Sequence, residues 1–561
     1  MARNDHADLV LTGGTVHTHD PARPRAEAVA VSGGRIVAVG GAAEVGERIG
    51  PRTEVRPLAG RAVIPAFQDA HVHPLTGGLE MLSCDLTGLD RRGCLEAVAR
   101  YAADRPDAAW ITGGGWSMTA FPGGLPQAAD LDAAVPDRPV FLPNRDHHGA
   151  WVNSRALELA GITAATPDPA DGRIERDARG APSGVLHEGA MRLVERLVPA
   201  PDLEQECAAL LAAQRHLHSL GITAWQDAIV GDYAGIPDPT RAYRDLAARG
   251  LLTARVRGCL WWERDRGVEQ IAGLLERRAA AGPGLAFDAV KIMQDGVCEN
   301  FTAATLTPYL DRHGRPTGGS GLSFVEPAAL AEAVAALHAE GFQVHFHTIG
   351  ERAVREALDA VAAAVRRHGP RDLRHHLAHV QIVHPDDVPR FAALGVSATM
   401  QPLWAYNDDQ MAELTLPFLG EERGRWQYPF AALERSGAHL AMGSDWPVSS
   451  PNPLYGMHVA VNRTTYEPDA DPSPEANRPF LPEQRLGATA ALRAATLGSA
   501  HVDHLDDRTG TIRPGMDADL AVLDRDPLAV PAEEIRTLRV ETTIARGRIV
   551  HDIVHGAVSG A

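Results

Sequence analysis

The chain has 561 residues, of which 45% are hydrophobic and 22% are charged, a balance typical of a soluble globular protein rather than a disordered one. Its formal net charge is −18 and no long basic run occurs, which disfavours nucleic acid and anionic membrane surfaces as partners. The five cysteines are odd in number and have no paired spacing, so they suggest neither a disulfide framework nor a thiolate zinc knuckle. The negative charge favours a small molecule as the partner, and the lack of an apolar stretch in the N-terminal segment leads us to expect a cytoplasmic protein.

Alternating apolar runs with glycine turns occupy both ends of the chain, in residues 8–40 and again in residues 518–551. Such runs are typical of β-hairpins. Chain termini often lie close together in space. We therefore predict one small β-sandwich domain built from residues 1–64 and 505–561.

Eight apolar runs recur between these ends, and helical segments such as 327–340 and 351–368 separate most of them. This alternation predicts a (β/α)8 barrel over residues 65–504. About 150 residues separate the first run from the second, which predicts an inserted substrate-side region at 76–205. The runs are Arg61–Phe67, Gly221–Trp225, Ala254–Leu260, Phe287–Met293, Phe342–His347, His375–Val380, Val396–Met400 and His439–Asp445.

Lys291, on the fourth run, is the one lysine among the 54 lysine and arginine residues of the chain. Arginine stays protonated at any working pH, whereas a buried lysine amine can lose its proton and react. On count alone, the alternative that one lysine escaped a drift toward arginine stays open.

Histidine and aspartate side chains gather where the predicted strands end. His71 and His73 follow the first run, and side chains at i and i+2 of a strand point to one face, so both imidazoles converge on one ion. His347 ends the fifth run, His379 lies in the sixth, and Asp445 ends the eighth. Together with Lys291 they predict a metal site at the carboxyl ends of the strands.

These motifs resemble those of the metal-dependent amidohydrolase superfamily, in particular its type-3 branch, which includes N-substituted formamide deformylases. The resemblance spans nearly the whole chain and implies a distorted (β/α)8 barrel beside a small β-sandwich made from both termini. It rests on Asp69-Ala-His-Val-His73, Lys291 followed by Asp295-Gly296, His347-Thr-Ile-Gly-Glu-Arg-Ala353, His379-Val-Gln381, Gln401-Pro402, Gly443-Ser-Asp-Trp-Pro447 and the segment 510–520.

The resemblance also implies roles for individual residues. His71, His73 and Asp445 would bind one divalent metal ion, His347 and His379 would bind a second, and Lys291, converted to a carbamate, would bridge the two ions. One or two ions are expected, with zinc the first expectation and manganese, iron or cobalt as alternatives. A metal-bound hydroxide would cleave an amide or formamide C–N bond, with Asp445 as the proton shuttle.

Substrate contacts are predicted at Trp116, His148, Trp404 and Trp446, although aromatic core packing is the alternative for each tryptophan. For the reaction, the alternatives are a deaminase, or a cyclic imide or carbamate hydrolase, on the same barrel, and a non-catalytic scaffold. For the metal site, they are His345 as a ligand and Cys84 or Cys298 as a bridging thiolate. Members of the branch often form homodimers, which extends to this chain as an expectation.

Overall fold

A computed structural model describes residues 6–169, 171–233, 237–282, 284–467 and 477–555 of the chain. Its centre is a sheet of eight parallel strands that follow one another around the sheet in chain order. This arrangement is the predicted barrel. Its strands, called here barrel strands one to eight, are Phe67–Val72, Ile222–Val230, Arg255–Trp261, Leu285–Met293, Gln343–Thr348, His376–His379, Ser397–Met400 and His439–Met442.

A second sheet contains strands from both ends of the chain, as the terminal hairpin pattern predicted. One of its faces packs over a core that includes Leu11, Val31 and Ile544. The fold class is thus confirmed, while the exact domain boundaries stay predictions. The strands of this terminal sheet are Leu9–His17, Arg25–Ser32, Arg35–Gly40, Glu54–Pro57, Ala62–Pro65, Leu520–Leu523, Val540–Ala545 and Arg548–Asp552.

The prediction of Arg61–Phe67 as a barrel strand was wrong in its placement. Ala62–Pro65 belongs to the terminal sheet, and the first barrel strand begins only at Phe67. The backbone changes partners at this point, because the Ala66 N–H donates to Asp519 and the next N–H, that of Phe67, donates to Gly221. One continuous apolar run therefore serves two sheets in succession.

The region between barrel strands one and two has a sheet and a core of its own. Its core includes Val98, Leu131 and Trp151. The strands of this inserted sheet are Cys84–Asp85, Ile111–Gly114, Val140–Pro143, Gly149–Val152, Gly172–Arg176 and Pro182–Glu188.

Helices cover the outside of the barrel. In the helix Glu351–His368 the buried side chains of Val354, Leu358 and Val361 recur at helical spacing and pack in the barrel-side core. Each such side chain contributes about 1.5–3 kcal/mol by leaving water. The predicted helices at 327–340 and 351–368 are confirmed.

The α-helices are Ala42–Gly46, Pro74–Met81, Arg91–Asp104, Ala128–Ala134, Ser154–Leu159, Arg192–Glu195, Leu203–Ser219, Thr240–Ala248, Ile271–Ala279, Pro327–Ala339, Glu351–His368, Val388–Leu394, Leu416–Gly424, Phe430–Arg435, Pro453–Asn462, Ala488–Arg493 and Ser499–Val502. Within the described ranges, none of them combines the length and apolarity needed to cross a bilayer.

Candidate metal centre

The carboxyl ends of the barrel strands bring the predicted ligands together. His71 is the penultimate residue of strand one, and His73 lies just beyond the strand, at the N-cap of the helix Pro74–Met81. His379 ends strand six, and Asp445 follows strand eight. Both of these last two residues have a positive φ, 73° and 57°, a backbone conformation that non-glycine residues rarely adopt and that clusters at functional sites.

Asp445 lies at the centre of this group. Its Oδ1 atom is 3.1 Å from Nε2 of His71 and 2.9 Å from Nε2 of His73, and its Oδ2 atom is 3.9 Å from Nδ1 of His379. One ligand atom each from His71, His379 and Asp445 falls within 4.8 Å of the others, and all three residues are buried. Imidazole nitrogens and a carboxylate oxygen at this separation suit a zinc-type cation.

His379 gives the clearest sign that an ion belongs here. Both of its ring nitrogens are buried, and neither has a hydrogen-bond partner within the described part of the chain. Buried polar atoms without partners are rare in folded proteins, because each costs the free energy of its lost hydration. The residues present thus fit a bound metal ion, which would supply a partner for one of the two nitrogens.

His347 stands on the other side of His379, with ring centroids 4.4 Å apart. Its Nε2 atom is 3.2 Å from the carbonyl oxygen of Gly296 and 3.9 Å from Oδ1 of Asp295. The pair His347 and His379 therefore extends the cluster beyond the part centred on Asp445.

Lys291 is buried on barrel strand four, next to His345 in the register of strand five. Burial lowers the pKa of its ammonium group to about 8, although Asp445 and Cys259 act in the opposite direction. A substantial share of neutral amine is therefore present at moderately alkaline pH, and the neutral amine is the form that can react.

The ionisation states of the other ligands also favour a cation. Burial and then the charge of Lys291 lower the pKa of His71 to about 3, and burial holds the pKa of His347 and of His379 well below the usual range. Burial alone would raise the pKa of Asp445, but the neighbouring histidines hold it well below its ordinary value. Neutral imidazoles and an ionised carboxylate are the metal-binding forms.

Asp69 links the end of barrel strand one to the segment after strand eight, a role that the sequence reasoning missed. Its Oδ1 atom accepts hydrogen bonds from the backbone N–H groups of His71 at 3.1 Å and Ser444 at 3.0 Å. Burial raises the pKa of this carboxyl to about 7 despite those bonds. The signal that could have identified this role is the place of Asp69 in the Asp69-Ala-His-Val-His73 motif.

Asp295, which follows barrel strand four, has a similar role toward the segment that follows barrel strand five. Its carboxylate accepts hydrogen bonds from the backbone N–H groups of Ala304, Ile349 and Gly350, at 2.9, 3.0 and 2.8 Å. Burial raises the pKa of the carboxyl to about 8. The bonds from Ile349 and Gly350 fix the turn that follows His347, so Asp295 positions this predicted ligand through the backbone.

A family model described as the amidohydrolase family matches residues 54–551. The chain belongs to this family. Putative amidohydrolase YtcJ of Bacillus subtilis is 31% identical to it over 96% of this chain and 98% of that protein. N-substituted formamide deformylase of Arthrobacter pascens is 28% identical over 96% and 97% of the two chains.

The fold of this amidohydrolase is also that of a solved metal-dependent hydrolase from Pyrococcus furiosus, with a TM-score of 0.70 and 26% identity. The match covers 93% of this chain and 99% of that one. Family and fold thus support a metal-dependent hydrolase.

Of the four predicted substrate contacts, Trp404 lies against the predicted ligand His379, and His148 is near enough to His347 for its charge to help lower the pKa of that ring. The ring of Trp404 stacks on His379, with an interplanar angle of 3° and centroids 5.1 Å apart. His148 holds Glu188, with its Nδ1 atom 3.0 and 3.1 Å from the two carboxylate oxygens. Burial lowers the pKa of His148, but Glu188 outweighs it and raises the value to about 9. Glu188 is a further residue that the sequence reasoning missed.

The other two predicted contacts are packed into cores. Trp116 lies in the core of the inserted region, where its indole N–H donates to the Leu142 carbonyl at 2.8 Å. Trp446 packs closely on Gly77, where a Cβ atom would come within 2.4 Å of the indole. These contacts match the alternative of aromatic core packing.

Of the alternative metal ligands, the two cysteines pack in separate cores, whereas His345 contacts a member of the group formed by His71, His379 and Asp445. His345 is fully buried, two residues before His347 on barrel strand five, and its Nε2 atom contacts Nδ1 of His71. Cys84 lies in the core of the inserted region, and Cys298 packs with Tyr309 and Phe418.

Proposed function

We propose that this amidohydrolase cleaves the C–N bond of small amides of the formamide type, using two divalent metal ions, zinc in the first instance. The proposal rests chiefly on His379, because its two buried ring nitrogens have no hydrogen-bond partner in the described structure and its Nδ1 atom lies 3.9 Å from Oδ2 of Asp445. The ions would be held by His71, His73, His347, His379 and Asp445, with Lys291 between them.

Lys291 takes part in the proposal as a carbamate. Its neutral amine nitrogen would attack the carbon of carbon dioxide and lose a proton, which leaves two oxygens and one negative charge. Its burial and its lowered pKa of about 8 support this reaction, because the ammonium form has no free electron pair. Arginine would not replace it, since its guanidinium group stays protonated.

Asp445 would carry the proton in this reaction. When bound, the ions lower the pKa of coordinated water from 15.7 to about 7 and polarise the substrate carbonyl. The carboxylate of Asp445, which its histidine neighbours keep ionised, would accept the proton of the attacking water and deliver it to the leaving nitrogen. The nitrogen must be protonated because the amine would otherwise have to leave as an anion, which is a very poor leaving group.

The walls of the site suggest how a substrate is held. Since Glu188 occupies Nδ1 of His148 and keeps this ring protonated at neutral pH, the Nε2–H group is left to donate to a substrate oxygen. Trp404, fixed against His379, would offer an apolar face to the substituent on nitrogen. An N–H donor for the carbonyl oxygen and an aromatic face for the substituent suit an N-substituted formamide, the class of substrate in the name of the Arthrobacter relative.

The proposal is tested by turnover on a graded panel. Metal-loaded protein is given N-substituted formamides, the matching acetamides, cyclic imides, carbamates and aminated heterocycles, and the release of amine, formate and ammonia is measured. We expect amine and formate from the formamides. Ammonia from the heterocycles alone, or bound metal without turnover on any member of the panel, would contradict the proposal.

A further inference from the structure

His71 has a buried partner on the side of its ring that faces away from Asp445. Its Nδ1 atom lies 2.8 Å from Nε2 of His345, while its own Nε2 atom is 3.1 Å from Oδ1 of Asp445. The second nitrogen of His345, Nδ1, lies 3.2 Å from Sγ of Cys259. Three side chains from barrel strands one, five and three thus form one chain of contacts.

Metal binding would set the direction of every hydrogen bond in this chain. If Nε2 of His71 binds an ion, it carries no proton, so the proton of the ring sits on Nδ1 and is donated to Nε2 of His345. His345 must then carry its own proton on Nδ1, which donates to the sulfur of Cys259. Burial raises the pKa of this thiol well above its usual value, so the sulfur is part of a neutral S–H group.

Other groups hold the ring of His345 in place. It is fully buried, and its centroid lies 4.0 Å from that of His376. His376 is fixed in turn, because its Nδ1 atom is 2.8 Å from the hydroxyl oxygen of Thr399 on strand seven. His345 therefore has little freedom to turn away from His71.

We infer that His345, supported by Cys259, is a positioning residue that fixes the ring orientation and tautomer of the metal ligand His71. The usual partner of a metal-binding histidine is a carboxylate, a backbone carbonyl or water. Here the acceptor is a neutral imidazole, so it orients the ligand without adding negative charge to a site that already has Asp445. The inference rests on the metal site of the proposed function, but not on its substrate.

The test compares two replacements of the same residue. In H345Q the side-chain carbonyl can still accept the hydrogen bond from Nδ1 of His71, whereas in H345L a side chain of similar bulk cannot. Zinc affinity is measured by competition with a chromogenic chelator, and the visible spectrum of cobalt-substituted protein reports the ligand geometry. Thermal unfolding of the metal-free proteins checks that each variant folds.

We expect H345L to bind zinc about 10- to 100-fold more weakly than the parent protein and to change the cobalt spectrum. H345Q is expected to stay within a few-fold of the parent, and C259A to lose less than H345L. Equal zinc affinity in all the variants, or equal losses in H345Q and H345L, would overturn the inference. Zinc binding without amide turnover by the parent would overturn the proposed function alone, because the comparison of affinities still decides the role of His345.

Discussion

The backbone N–H of Asp445 donates a hydrogen bond to the carbonyl oxygen of His71 at 2.8 Å. A second bond runs from the N–H of His73 to the carbonyl of Trp446 at 2.9 Å. Barrel strands one and eight share no strand ladder in the described structure, so these bonds beyond the strand ends close the barrel. The segments that close it also carry the predicted metal ligands, so we expect metal binding to stabilise the whole barrel.

Gly443 allows the segment after barrel strand eight to pack closely against His71. A Cβ atom at this position would lie 2.6 Å from Cβ of His71 and 2.9 Å from Nε2 of Gln401. We expect Gly443→Ala to lower the free energy of unfolding by about 1–3 kcal/mol and to weaken metal binding, because His71 must move. Denaturant unfolding and zinc titration measure the two effects.

Gly273→Ala is the matched control for that substitution. Gly273 lies in the helix Ile271–Ala279, and nothing lies within 4 Å of a Cβ atom built there. This change should leave metal affinity as it is and raise the stability by about 0.5–1 kcal/mol, since alanine favours the helix. If Gly443→Ala kept the metal affinity and stability of the parent protein, the contact between position 443 and His71 would not require a glycine.

Asp445→Asn tests the proton shuttle. The amide retains the shape of the side chain but does not accept a proton, so kcat should fall by about 10²- to 10⁴-fold. Steady-state kinetics at matched metal content measure the loss. Asp227→Asn is the control, because Asp227 is a buried carboxyl on barrel strand two whose partner is the Tyr243 hydroxyl at 2.7 Å. A similar loss in both variants would assign the effect to the removal of a buried carboxyl group in general.

The pair formed by His148 and Glu188 predicts a pH-dependent stability. Because the pKa of His148 is raised to about 9 in the folded protein, above its ordinary value of about 6.5, the pair stabilises fully below about pH 6.5. The contribution is lost as the pH rises through about 9. The difference in unfolding free energy between the parent and His148→Gln should therefore shrink between pH 6 and pH 10.

Chemical unfolding at several pH values gives this difference directly. His313→Gln, at an exposed position, serves as the control and should show no such trend. A difference that is the same at every pH would mean that His148 is not held as a cation by Glu188.

Much of the barrel was predictable from the sequence, because βα alternation and the position of polar residues after apolar runs have direct structural meaning. His71, His379 and Asp445 could be assigned to strand ends and do come together. The division of the first run could not be foreseen, since Ala62 to Phe67 is one continuous apolar stretch and only the backbone hydrogen-bond partners change between Ala66 and Phe67.

The contacts that support the site also could not be predicted from the sequence. The contact between His71 and His345 joins residues 274 positions apart, and nothing in either local motif specifies it. The same holds for Trp116 and Trp446, whose packing depends on the folding of the inserted region and of the helix Pro74–Met81. Long-range side-chain packing, rather than local pattern, decided these cases.

Lys291→Arg tests the carbamate site through its metal content and its turnover. We expect two divalent ions per chain in the parent protein. In the variant we expect loss of at least one ion and an activity loss of more than about 100-fold, beyond the usual effect of a supporting residue. Arginine retains the positive charge but forms no carbamate. Two retained ions and near-full turnover in Lys291→Arg would contradict the account.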